Sequence, residues 1–134
     1  MNKTRLLGLI VFMVSASLLL SACGPKSVIL DVEMKEFAFI PDRFTVPAGA
    51  KVTLKLKNTG ALEHEFVIMV FGKEATLPFN EDDEANIYWE AELDARENAI
   101  VEFTAPSEPG EYQVVCGTPG HLEQNMKGVL VVTP

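Results

Sequence analysis

Hydrophobic and polar positions alternate most strictly from Lys51 to Lys57, with Val52, Leu54 and Leu56 on one face and Lys51, Thr53, Lys55 and Lys57 on the other. A period of two is that of a strand buried on one side. Less strict versions of the pattern predict strands over Val28 to Met34, Ala99 to Thr104, Glu111 to Val115 and Gly128 to Thr133. Glu65 to Phe71 is apolar at nearly every position, which predicts a central strand. Phe37, Phe39 and Phe44, spaced around Pro41-Asp42, predict an extended segment broken by a turn, and Phe44-Thr45-Val46 ends at the turn composition Pro47-Ala48-Gly49. Asn58-Thr59-Gly60 and Pro106 to Gly110 punctuate the chain in the same way. From Gly72 to Asn98 the pattern weakens. Lys73 to Phe79 reads as a loop, and the acidic run after Asn80 predicts a short helix reaching Tyr88-Trp89. Short, β-branched segments cut by Gly and Pro predict an all-β core.

The first residues follow a different pattern. Lys3 and Arg5 precede an apolar run from Leu6 to Leu20 and the small residues Ser21-Ala22, the order of an export signal. The run is too short and wrongly flanked for a membrane span. Leu20-Ser21-Ala22-Cys23 resembles a bacterial lipoprotein signal, in which the Cys becomes the lipidated first residue of the mature chain. The expected division is a signal peptide over 1–22, a lipidated Cys23 and short tether over 23–27, and one domain over 28–134. Several acyl chains hold a domain at a membrane where one binds only marginally. The expected location is therefore extracytoplasmic, anchored at the periplasmic face or cell surface.

Charge narrows the partners. The chain carries 11 basic and 19 acidic residues, a net −8, and loss of Lys3 and Arg5 leaves 9 − 19 = −10. Such a domain does not bind nucleic acid through its net field, whereas it can steer basic proteins.

Cysteine usage then points to chemistry. With Cys23 lipidated, Cys116 has no disulfide partner, and an unpaired thiol in an oxidising compartment is open to oxidation unless something such as a metal covers it. Cys116 opens the spacing C-x4-H-x4-M through His121 and Met126, with Pro119-Gly120 just before the His and Gly128 just after the Met. Singly, each is more commonly a core or surface residue. Together they are soft donors: sulfur selects copper, imidazole suits it, and two His with one Cys and a weak axial Met make a copper electron-transfer site. The second imidazole is His64, at the entrance of the apolar strand. Zinc prefers tetrahedral Cys and His and would leave the thioether idle. A Cys116–His nucleophilic pair lacks an oxyanion-hole or orienting motif, so the chain reads as no enzyme.

The segment YQVVCGTPGHLEQNMKGVLVV, Tyr112 to Val132, resembles the copper loop and last strand of the cupredoxins, the blue copper family that includes plastocyanin, azurin and auracyanin. NTGALEHEFVI resembles the family's first-ligand region, and the likeness spans almost all of the chain after Lys26. The Cys-to-His spacing is similar to the auracyanin and azurin side, and the HEF and GHLEQNMKG forms also resemble bacterial copper-tolerance cupredoxins. The resemblance implies a Greek-key β-sandwich or barrel of about seven to eight strands. It further implies one type 1 copper ion held equatorially by His64, Cys116 and His121 and axially by Met126. The implied function is single-electron transport between membrane partners such as cytochromes or oxidases. Copper tolerance, storage or delivery is the alternative, and a metal-free adhesion module a third reading. The resemblance also places the ring edge of His121 at solvent, in a flat patch with Pro119, Gly120 and Leu122. Glu65 departs from plastocyanin and azurin, which have an Asn after the first His that ties the two ligand segments together.

Overall fold

In the computed structural model, which describes Gly24 and residues 26–134, the strictly alternating segment lies inside a four-stranded sheet. The segment over 1–22 expected to be a signal peptide, and Cys23, lie outside the described residues. The elements run β1 (Ser27–Lys35), β2 (Ala38–Ile40), β3 (Arg43–Pro47), β4 (Lys51–Asn58), β5 (His64–Met69), α1 (Glu81–Glu84), β6 (Ile87–Leu93), β7 (Asn98–Thr104), β8 (Gly110–Val115) and β9 (Lys127–Thr133). One sheet has the order β2-β1-β4-β7 and the other β3-β9-β8-β5-β6. The all-β sandwich is as expected, with nine strands rather than seven or eight among the described residues.

Two pairings are parallel, β1 with β4 and β3 with β9. Parallel neighbours cannot be joined by a hairpin, so the chain must cross between sheets, and residues far apart in sequence meet across the core. Val52, Leu54 and Leu56 of β4 face inward, as their period requires. They meet Phe66 and Ile68 of β5, Val114 of β8 and Leu130 and Val132 of β9 in one buried cluster. Phe39 and Phe44 pack edge-on against Phe66 at ring separations of 5.3 and 5.4 Å.

The least patterned region corrects the expectation drawn from it. The helix stops at Glu84, and Tyr88-Trp89 belongs to strand β6. Four consecutive acidic residues favour the first turn of a helix and oppose its last, and no basic residue follows to offset the carbonyl end. Asn80 caps this single turn in a capping box with Asp83. The Asp83 carboxylate is buried and accepts from Thr76 N–H, the Thr76 hydroxyl and Asn80 N–H. Beyond the cap β6 regains a period of two, and Trp89 stacks on Phe103 of β7 at 4.8 Å, joining the edges of the two sheets. β5 ends at Met69 rather than Phe71, because Gly72 at φ 71° turns the chain and Lys73 N–H closes on Val70 O.

The order β9-β8-β5 sets up the site. β8 is antiparallel to both neighbours, so its C-terminal end lies beside the N-terminal ends of β5 and β9. His64 begins β5, Cys116 follows β8, and Met126 precedes β9.

Candidate metal centre

The donors gather where those three strand ends meet. His64 Nδ1 lies 3.1 Å from His121 Nδ1, Cys116 Sγ lies 3.3 Å from His121 Nδ1, and Sγ lies 3.8 Å from His64 Nδ1. The point equidistant from these three atoms is about 2 Å from each, close to the ~2.0–2.3 Å of metal–imidazole and metal–thiolate bonds. The residues therefore fit one ion held by two nitrogens and a sulfur. Met126 is fully buried and packs in the same cluster as Cys116. Its carbonyl accepts from Cys116 N–H and its own N–H donates to His121 O, both at 3.1 Å, so its backbone is tied to both ligand residues of the loop.

The loop from Cys116 to Met126 is wound rather than extended. His121 N–H donates to Thr118 O, Gln124 N–H to His121 O, and Asn125 N–H to Leu122 O. Asn125 adopts φ 67°, a left-handed conformation that Asn tolerates, and this reverses the chain into Met126. The expectation that His121 shows its ring edge to solvent is overturned. His121 is 4% exposed and Phe37 packs edge-on against it, with ring centroids 5.0 Å apart. Leu122 is also buried, against Val67, Met69 and Val115, and is no part of a surface patch. The winding of the loop turns both side chains inward, which the spacing of residues alone does not reveal.

Several further residues position the donors. Asn58, buried at the end of β4, donates from Nδ2 to Leu62 O, Leu93 O and Asp94 O, and its Oδ1 accepts from Gly60 N–H. It fixes the turn that delivers His64, where the sequence marks Asn58-Thr59-Gly60 as the end of a strand and, by resemblance, the lead into the first ligand. Glu65 N–H points at Cys116 Sγ at 3.4 Å, and the Thr118 hydroxyl lies 3.4 Å from both Sγ and Glu63 O. A backbone N–H and a hydroxyl thus tie the Cys segment to the His64 segment. The Glu65 carboxylate lies against Gly117, where an added Cβ would collide with it. Burial, and then Glu92 and Glu90, push the Glu65 carboxyl above its ordinary value.

Electrostatics prepares the donors for a cation. Burial holds both imidazoles below their ordinary value, with the neighbouring His121 adding to the effect at His64, so both rings are neutral at pH 7. Burial pushes the Cys116 thiol up, against the bonds from Thr118 and Glu65. An incoming metal ion must therefore displace the thiol proton. Glu36 reaches in from the surface after β1, its Oε1 3.8 Å from His64 Nε2. Its carboxyl lies below the ordinary range, first through its own N–H and then, against burial, through those of Leu62 and Ala61.

A family model described as "Cupredoxin-like domain" matches residues 6–132. The chain is 33% identical over 127 residues to Auracyanin-A of Chloroflexus aurantiacus, covering 84% of this chain and 77% of that protein. It is 31% identical over 113 residues to Auracyanin-B of the same organism, and there spans 72% of this chain but only 48% of the relative. Among solved structures it is similar to dithionite-reduced auracyanin from the photosynthetic bacterium Roseiflexus castenholzii, with a TM-score of 0.66 and 31% identity, covering 83% of this chain and 100% of that one.

The metal-free protein should have a bounded window of stability. A folded imidazole held below 6.5 binds fewer protons than the unfolded one, so stability is lost as pH falls through 6.5. The thiol acts in the opposite sense: the unfolded chain gives up its proton at about 9.0 while the folded one keeps it, so stability falls as pH rises past 9.0. Urea midpoints measured from pH 5 to 10 should peak between these limits, and Cys116→Ser should flatten the alkaline side. The raised Glu65 carboxyl acts in the opposite sense to the histidines on the acidic side, so the decisive test there is Glu65→Gln, in which a level acidic side would contradict the buried, neutral histidines.

Proposed function

The chain belongs to the cupredoxin-like domain family, and from that premise we propose that it is a type 1 copper protein with His64, Cys116, His121 and Met126 as its donors, carrying single electrons outside the cytoplasm. The observation that carries this reading is the buried triangle of Cys116 Sγ and the two Nδ1 atoms. Bound copper supplies a one-electron couple and a thiolate charge-transfer colour. The chain's own residues do the rest. Cys116 gives up its proton, and Glu65 N–H faces the sulfur that results. Three neighbouring strand ends keep the donors from moving when the charge changes, which keeps reorganisation small. The surrounding core keeps water out. Each polar group at the site is a donor or a tie, which supports a carrier rather than an enzyme.

Burial also favours the carrier over copper tolerance or delivery. His64, Cys116 and Met126 are 0% exposed. An electron can leave through packed atoms, whereas an ion can leave only if the loop opens. We read the exit as the His121 ring and the Phe37 ring packed on it, under an apolar rim of Leu62, Pro119 and Gly120. A membrane cytochrome or oxidase docking there would desolvate little charge, and the acidic remainder of the surface would steer a basic partner. The chain is read as a lipoprotein: a signal over 1–22, a lipidated Cys23 that holds the domain over 28–134 at a membrane, and a tether between them.

Copper(II) should give an intense blue band that Cys116→Ser abolishes. Met126→Leu should keep both copper and colour while the reduction potential rises, because the axial thioether is a weak donor. A band that survives loss of Cys116 would refute the assignment. Leu62→Glu, at a position 47% exposed, should leave the spectrum intact and slow reduction by a membrane partner by about tenfold, as expected when a charge must be desolvated at a contact. Stopped-flow kinetics equal to those of the parent chain would rule out the rim. Mass spectrometry of the membrane fraction should find a mature chain beginning at an acylated Cys23, and an unmodified Cys23 would end the anchoring proposal.

A further inference from the structure

His64 Nε2 is the one buried side-chain nitrogen or oxygen without a hydrogen-bond partner among the described residues. An orphaned polar atom in a fully buried ring costs free energy unless the functional state satisfies it. Once Nδ1 of an imidazole is given to a metal, the ring's proton resides on Nε2, which becomes a donor in need of an acceptor. The group facing it is the Glu36 carboxylate, with Oε1 at 3.8 Å. That distance is too long for a hydrogen bond, and too short for a bridging water, whose two bonds of about 2.8 Å would span roughly 4.5 Å.

The carboxylate is seated rather than loose. Ala61 N–H and Leu62 N–H donate to Oε1 at 2.6 and 2.8 Å. The backbone closes over it at Gly60, where an added Cβ would lie 2.6 Å from Oε1 and 2.8 Å from Oε2. With its two oxygens the carboxylate has about four lone-pair sites, so beside the N–H groups of Ala61 and Leu62 it keeps acceptor capacity for one more donor. The turn wrapped around Glu36 is the one that Asn58 pins and that leads directly into His64.

We propose that Glu36 is the positioning residue of His64: in the metal-bound protein its carboxylate accepts the Nε2–H of this ligand and places a negative charge behind it. The inference rests on the reading of the site as a copper centre. It gives His64 the carboxylate support that metal-bound histidines commonly have, supplied here from the end of β1, 28 residues upstream in sequence (64 − 36). A charge-assisted N–H···O contact lies near 2.7–2.9 Å, so the two groups draw together by about 1 Å when the metal is bound. The acceptor fixes the ring plane, and the charge favours the more positive oxidation state of the ion.

Glu36→Gln and Glu36→Ala separate the two effects. Glu36→Gln keeps one oxygen that can accept Nε2–H but lacks the charge, whereas Ala removes both. In the zinc-substituted chain, nitrogen-15 NMR should find a slowly exchanging His64 Nε2–H in the parent and in Glu36→Gln, and rapid exchange in Glu36→Ala. In the copper-loaded chain the reduction potential should rise in both variants, with copper(II) affinity down about tenfold to a hundredfold in Glu36→Ala. A purely structural role for Glu36 would leave the potential of Glu36→Gln at the parent value, and that result would overturn the inference. So would rapid exchange of Nε2–H in the parent. If Glu36→Ala fails to fold, Glu36→Gln still decides. A blue protein whose potential ignores Glu36→Gln sinks this inference alone, whereas a chain that takes up no copper sinks the reading of the site with it.

Discussion

Two imidazole nitrogens and a thiol sulfur held within 3.8 Å of one another, inside a dry core, are the constraint on which the rest of this structure depends. Polar groups so placed are costly to bury, and in the metal-free chain they have little beyond each other to bond to. The surrounding fold tolerates them because His64 and Cys116 sit at the ends of strands whose inward-facing residues are apolar and packed, and the loop that carries His121 runs between two such strands. Phe66 to Met69 follow His64 into the core, Val114 and Val115 precede Cys116, and Leu130 and Val132 follow Met126 at a short distance. The donors are carried at or between the paired ends of β5, β8 and β9, so their separations are properties of the sheet as much as of the loops.

Rigidity at that end is reinforced from both sides. On the β4–β5 side, Asn58 bonds the turn to Leu93 and Asp94, so the entry to His64 is tied to the end of β6. On the β8–β9 side, successive turns from Thr118 to Asn125 shorten the connection, and the Cys116–Met126 backbone bond closes it. Between the two, Glu65 N–H and the Thr118 hydroxyl converge on the sulfur. Glu65 makes this tie with its backbone N–H, which any residue there except proline could supply, while its own carboxylate lies over Gly117.

The acidic stretch shows how one short segment can serve different ends. Glu81, Asp82 and Glu84 are exposed, while Asp83 is buried and satisfied by Thr76 and Asn80. A run of like charges reads as a solvated face, and three of the four residues behave so. The fourth closes a helix turn before β6, and its role comes from a partner four residues before the cap, a relation that charge patterning does not display.

Much of this protein was determined by the sequence itself. A period of two placed β4 and its neighbours, turn residues placed their ends, and the donor chemistry of Cys116, His121, Met126 and His64 singled out one kind of metal site, because side-chain alternation and ligand softness are local properties of the chain. What depends on residues meeting from distant strands was decided only by tertiary structure. Tyr88-Trp89 became a strand because Phe103 offered Trp89 a surface in the facing sheet. His121 and Leu122 turned inward because the loop is wound by its own backbone bonds, which set where each side chain points. Glu36 came to lie behind His64 because β1 pairs in parallel with β4, carrying the end of β1 to the turn where β4 gives way to β5, a juxtaposition no linear spacing encodes.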